Sequence, residues 1–204
     1  MPATKPAPVP IVVDSVTTLI GLLDSPADLP IDSLGRLGSI SLIPLYVAPQ
    51  IKTYVIDVHL LYSEAFSTSS SNSELSLKKV LESPNIPKVF FDCRNDSDAL
   101  GSHFEISLDG IIDLQLLELA ARCYPRDYVA GLNKCVQTVS SVPDVTKSAW
   151  QETKITVGRL YDPKRGSSYE HFNERPLRSD ILRYCARFVG PSRMLTCGFE
   201  YNAP

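Results

Sequence analysis

The sequence predicts an α/β fold, a mixed sheet flanked by helices. Three observations carry that prediction. Short apolar runs read as strands: Ile11-Val12-Val13, Thr53–Val58 and Lys88-Val89-Phe90-Phe91. Between them lie stretches whose apolar residues recur at helical spacing. The junctions from strand to helix carry capping or acidic residues, Asp14-Ser15 and the cluster Asp92, Arg94, Asn95, Asp96 and Asp98. At 204 residues and 44% hydrophobic, the chain can bury one good core. The expected organisation is a Pro-rich disordered lead (1–10), one domain (11–190) and a tail (191–204).

Composition narrows the setting. No apolar run approaches the roughly 20 residues that span a bilayer, so no membrane partner is expected. MPATKPAPVP holds no signal-like apolar run, so secretion is not expected either. The five cysteines are odd in number and form no C-x-x-C pair, which suits a reducing, intracellular setting, cytoplasmic or nuclear, and argues against zinc. The three histidines are scattered and read as surface or capping residues. Net charge is −3, but from Lys147 onward ten Lys/Arg face six Asp/Glu. A basic C-terminal third is compatible with phosphate binding and equally with ordinary surface.

In chain order, Asp14-Ser15 caps a helix with Val16, Leu19, Ile20 and Leu23 on one face. Asp24–Ser33 (DSPADLPIDS) has two prolines, three acids and no apolar run, so it cannot be a central strand. Ser39–Val47 alternates as a strand, but Pro44 pushes it toward an edge or a break. Thr53–Val58 is a clean strand, and Ser67–Ser73 is a Ser-rich loop. Glu74–Ser83 makes a helix with Leu77, Val80 and Leu81 inward, leading into the strand Lys88–Phe91. That strand ends in carboxylates and hands over to a helix running toward His103. Acids at such a mouth supply hard oxygen ligands for Mg²⁺ or Mn²⁺, or are simply a solvated capping turn. Gly110-Ile111-Ile112 is strand-like, and Asp113 caps Leu114–Arg122, a helix apolar nearly all round and therefore expected to be buried. Trp150 lies in a linker of mixed composition and reads as a core anchor. Tyr169–Val189 contains a final helix stopped by Gly190-Pro191.

Several of these stretches resemble one family. Lys88–Leu100 carries K-V-x-x-D-x-R-x-D-x-x-x-L and resembles the second motif of the DEDD 3′–5′ exonucleases, the RNase D-like group with the ribonuclease H-like fold. The opening V-V-D-S, the strand Thr53–Val58, the run I-I-D-L-Q-L-L-E, the segment Tyr128–Val136 and the phrase F-N-E-R-P-L resemble further parts of the same domain, from about Val12 to Val189. The resemblance implies that Asp96 is a metal ligand. It also implies a first motif, a central strand ending in D-x-E, between the first helix and Leu34-Gly35-Arg36. Counting back, Asp28-Leu29-Pro30 falls there. Either Asp28 is the first ligand and Pro30 replaces the glutamate, or the strand is absent. Absence explains the lost apolar residues as well as the lost glutamate; a real deletion or a misplaced intron boundary would each produce it.

In the third motif the family presents Tyr-x-x-x-Asp on one helix face, tyrosine orienting water and aspartate holding metal. Tyr184 matches the tyrosine, but Phe188 stands where the aspartate belongs. The resemblance thus implies metal-dependent hydrolysis from single-stranded RNA or DNA 3′ ends by two Mg²⁺ or Mn²⁺ ions, with catalytic candidates Asp96, Tyr184 and Asp28, and Asp96 and Asp28 as metal ligands. One sure carboxylate cannot hold two ions that dehydrate reluctantly, so the expectation is an impaired nuclease. It would bind nucleic acid through Lys164, Arg165, Arg175 and Arg178, or serve as an inactive scaffold for RNA or a protein partner.

Overall fold

The computed structural model describes residues 9–24, 34–36, 39–47, 50, 52–123, 125–138, 143–161 and 168–186. Strand β1 (Ile11–Val13) leads into α1 (Val16–Leu23), followed by β2 (Leu34–Arg36), β3 (Ser39–Val47) and β4 (Lys52–Asp57). Short helices α2 (Val58–Leu61) and α3 (Glu64–Ser67) precede α4 (Leu77–Glu82). Next come β5 (Lys88–Phe90), α5 (Arg94–Phe104), β6 (Ile111–Asp113) and α6 (Leu114–Ala121). The chain continues through α7 (Leu132–Thr138), α8 (Asp144–Tyr161), a 3₁₀ turn (Tyr169–Phe172) and α9 (179–186).

The strands form a four-stranded mixed sheet in the order β1-β4-β3-β2 and a two-stranded parallel sheet, β5-β6. In the first, β1 runs parallel to β4, which pairs antiparallel with β3 from Leu42↔Asp57 to Val47↔Lys52. In the second, Phe90 lies opposite Asp113, so both strands deliver an acidic segment to the same end. A shared core joins the sheets: Ile43 and Leu45 of β3 cluster with Phe90 of β5 and with Leu19, Leu77 and Leu81 of the helices. A second cluster gathers Phe91, Leu114, Leu132, Val136 and Trp150, and a third holds Leu42 and Val55 against Phe172, Ile181 and Cys185. Alternation along Phe90-Phe91 sends successive rings to different clusters, as strand geometry requires.

Several sequence expectations are corrected. β3 is an internal strand, not an edge or a break. Within it Pro44 pairs with Val55 of β4. Helix α1 is capped by Ser15, whose side chain accepts from the Thr18 amide while Thr18 answers the Ser15 amide. Its inward residues are Leu19, Leu22 and Leu23, whereas Val16 is exposed. Helix α6 is not buried all round: Leu116 is 57% exposed, because the second cluster covers only the side carrying Leu114 and Leu117. Trp150 is a core anchor, but its surroundings are the 18-residue helix α8, not a linker.

Lys88 shows why a lysine can open a buried strand. Its side chain is buried, and its Nζ donates to the carbonyls of Val80 (3.0 Å) and Ser83 (2.5 Å), closing the C-terminal end of α4. Burial draws its ammonium below the usual lysine range, with Asp109 opposing.

Candidate active site

The motif that ends β5 is built around an unusual turn. Asp92 adopts a left-handed conformation (φ 61°), which aspartate tolerates better than most residues because its side chain can bond locally. Here its Oδ1 accepts from Arg94 Nε at 2.6 Å. Helix α5 then begins at Arg94 and carries Asp96 in its first turn, half-buried, where the helix dipole favours a carboxylate.

Asp113 arrives at the same place from β6 and does more than cap α6. Its carboxylate accepts from the amides of Asp92 (3.1 Å) and Cys93 (3.3 Å) across the turn, and from the Gln115 amide (2.8 Å). Gln115 extends the network, accepting from Arg94 at 3.3 Å and donating to the Ala130 carbonyl at 3.1 Å. Between these acids the Cys93 thiol is pushed up to about 11, first by burial, then by Asp113, with Asp96 adding to it.

A third acid, Asp57, ends β4. It is 0% exposed, accepts from the Leu60 amide at 3.1 Å, and is gripped through both oxygens by the Arg175 guanidinium. Arg175 also donates to the carbonyls of Phe172 and Glu174, both at 2.8 Å. Nearby, the Ser41 hydroxyl donates to Asn173 Oδ1 at 2.7 Å. Together with the third cluster, these bonds fasten 169–186 against the four-stranded sheet.

The structure distributes the sequence candidates unevenly. Asp96 lies at the β5–α5 turn. Tyr184 lies on α9 and is only 5% exposed. Arg175 faces inward to Asp57. Arg178 pairs with Asp180 at 2.9 Å, which holds the Asp180 carboxyl below its ordinary value. Asp28, Pro30, Lys164, Arg165 and Phe188 lie outside the described residues. Sequence reasoning missed Asp57 and Gln115. An acid closing the apolar run Tyr54-Val55-Ile56 was a usable signal for Asp57, whereas nothing in the sequence marked Gln115.

The chain belongs to a known class. Residues 32–187 match the family described as 3′-5′ exonuclease, and the protein is a member of that family, with a nuclease domain. Among curated relatives, the piRNA biogenesis protein EXD1 of Mus musculus is 35% identical over 95 residues, covering 47% of this chain and 15% of that protein. EXD1 of Homo sapiens is 35% identical over 75 residues, 37% of this chain and 13% of that protein. The chain thus spans a small part of the length of these relatives.

Solved structures show the fold. Trypanosoma brucei RNase D superposes with a TM-score of 0.73 at 24% identity, covering 97% of this chain and 67% of that one. Its complex with RNA U12 gives 0.71 at 23%, covering 94% and 62%. The Aedes aegypti Nibbler EXO domain gives 0.53 at 18%, covering 94% and 87%. The architecture is the ribonuclease H-like α/β fold of RNase D-like domains.

Exonucleases of this kind generally use divalent metal ions. The described residues do not fit a two-ion cage. Among them no group of three or more His, Cys, Asp or Glu side chains could hold a metal ion. Asp57 is neutralised by Arg175, and both oxygens of Asp113 are engaged by backbone amides. No helix among the described residues is long and apolar enough to cross a membrane.

Proposed function

We propose that this domain binds the 3′ end of single-stranded nucleic acid, RNA before DNA, and is impaired in hydrolysing it. The observation that carries the reading is the engagement of two acids besides Asp96: Asp57 at the end of β4 is gripped by the Arg175 guanidinium, and Asp113 at the end of β6 accepts from backbone amides. The sequence supports it, with Pro30 and Phe188 at positions where the family resemblance implies ligands. Mg²⁺ and Mn²⁺ are accordingly expected to bind weakly or not at all, Asp96 and Asp28 being the remaining ligand candidates. RNA is favoured because the related EXD1 proteins are described by piRNA biogenesis and a structurally similar RNase D holds RNA.

In this reading Lys164, Arg165 and Arg178 supply phosphate contacts, Arg175 holds the segment that carries Tyr184, and Tyr184 is the residue that would position water. The test uses a 3′-labelled single strand, RNA or DNA, with Mg²⁺ or Mn²⁺. Nucleotide release should not exceed that of Asp96→Ala; release well above it would restore the protein as a working exonuclease. Binding should weaken as salt rises, with a slope of about −0.7 per phosphate neutralised. Salt-insensitive or absent binding would instead leave a protein-binding scaffold.

A further inference from the structure

The Ser-rich loop between α3 and α4 is tied to the end of α1. Asp24, the C-terminal cap of that helix, accepts from the Ser70 hydroxyl at 2.6 Å, from the Ser71 amide at 2.8 Å, and from the Ser71 hydroxyl. The loop is drawn into a narrow turn by the bridge Ser69↔Ser76 and by the Ser70 amide donating to the Leu75 carbonyl at 2.7 Å. These bonds hold the Asp24 carboxyl below its ordinary value, the Ser70 hydroxyl contributing most. Because Asp24 caps the C-terminus of α1, the latch fixes the point where the chain leaves that helix.

Ser71 is exposed and begins the phrase Ser71-Asn72-Ser73-Glu74, which places a carboxylate three residues after the hydroxyl. Glu74 is 93% exposed, although it pairs with Lys79 at 2.9 Å. A serine followed at that spacing by an exposed acid suits a kinase whose substrate cleft is lined with basic side chains. We infer that Ser71 is a phosphorylation site for an acid-directed Ser/Thr kinase, and that its modification releases the loop from α1.

In the reaction Ser71 Oγ attacks the γ-phosphorus of ATP. The Oγ–P bond forms as the bond from the γ-phosphorus to the bridging oxygen breaks, ADP leaves with that electron pair, and the hydroxyl proton passes to the kinase's base. The product has lost one of the three donors that Asp24 accepts from, the Ser71 hydroxyl, and a group of about −2 charge now faces the carboxylate. Like charges at hydrogen-bond range cannot keep the contact, so the latch opens.

The test treats the full chain with ATP and an acid-directed Ser/Thr kinase, maps the phosphate by peptide mass, and measures amide hydrogen exchange. Phosphate is expected on Ser71 and absent from Ser71→Ala. The amides of Ser71 and of the last turn of α1 should then exchange at least about tenfold faster, as expected for losing a hydrogen bond to a charged group. In Asp24→Asn, which removes the opposing charge, phosphorylation should accelerate exchange markedly less. No phosphate on Ser71, unchanged exchange after modification, or equal acceleration in wild type and Asp24→Asn would each overturn the inference.

Discussion

Asp57 and Arg175 form a pair separated by more than a hundred residues in sequence and closed in a nearly dry place, Asp57 wholly buried and the Arg175 side chain 19% exposed. Removing one partner leaves a charge without compensation. Arg175→Ala should therefore cost about 3–5 kcal/mol in chemical denaturation. Arg175→Lys should recover only part of it, since an ammonium cannot match a two-oxygen grip. A loss below about 1 kcal/mol would mean that the pair is solvated, the usual circumstance of weak ion pairs.

Cys93 gives a second prediction at this scale. Its folded thiol sits at about 11 against an ordinary value of 9.0. The folded chain therefore keeps the proton through a range in which the unfolded chain loses it. Stability is full below about 9 and falls as pH rises from there toward 11. Cys93→Ala should flatten part of that decline, and the similarly raised Cys135 should retain the rest. Alkylation at neutral pH should strike exposed Cys123 well before Cys93 or the buried Cys135 and Cys185.

At the scale of elements, the parallel pair β5–β6 depends on one glycine. Gly110 has φ +62°, and a Cβ there would lie 2.8 Å from the Ser83 carbonyl oxygen and 2.9 Å from that of Ile86. Its own carbonyl accepts from the Lys88 amide at 2.9 Å, which starts the strand pairing. Backbone atoms cannot step aside as a flexible side chain can. Gly110→Ala should thus destabilise the protein by about 1–3 kcal/mol, and amide exchange should show β5 and the turn carrying Asp96 loosened first.

The elements also show what was legible in sequence. Leu77, Val80 and Leu81 were readable as the inner face of α4 because their spacing is intrinsic to a helix. Leu114–Arg122 was misread because apolarity all round says nothing about how many neighbours arrive; Leu116 was left uncovered. The turn with Asp96 was legible as a local pattern of acids after a strand. The long-range partners, Arg175 for Asp57 and Ala130 for Gln115, were not, because no local propensity encodes a distant contact.

At the scale of the whole molecule, the described strands fall into two sheets joined through side chains instead of backbone bonds. Strand β5 is the hinge of that arrangement, with Phe90 in the cluster shared with β3 and Phe91 in the cluster around Trp150. Phe91→Ala should cost about 3–5 kcal/mol. It should also separate the two cores, so that Trp150 fluorescence is lost at lower denaturant than the far-ultraviolet circular dichroism. Coincident transitions in the variant would show that the clusters still unfold as one unit.

By itself the sequence determined several of the strands and helices, among them α1, β4, α4, β5 and α6, together with caps such as Asp113 and the short pattern from Lys88 to Leu100 that led to the exonuclease family. Those are local matters, fixed by side-chain period, by turn chemistry and by residues a few positions apart. Only the tertiary structure decided that the acid closing β4 is tied to Arg175 of the phrase F-N-E-R-P-L, that Asp113 bonds to backbone amides, and that β3 is an internal strand. Each of those outcomes depends on which distant groups reach the same low-dielectric space. A charge or amide there must take whatever partner the packing brings to it.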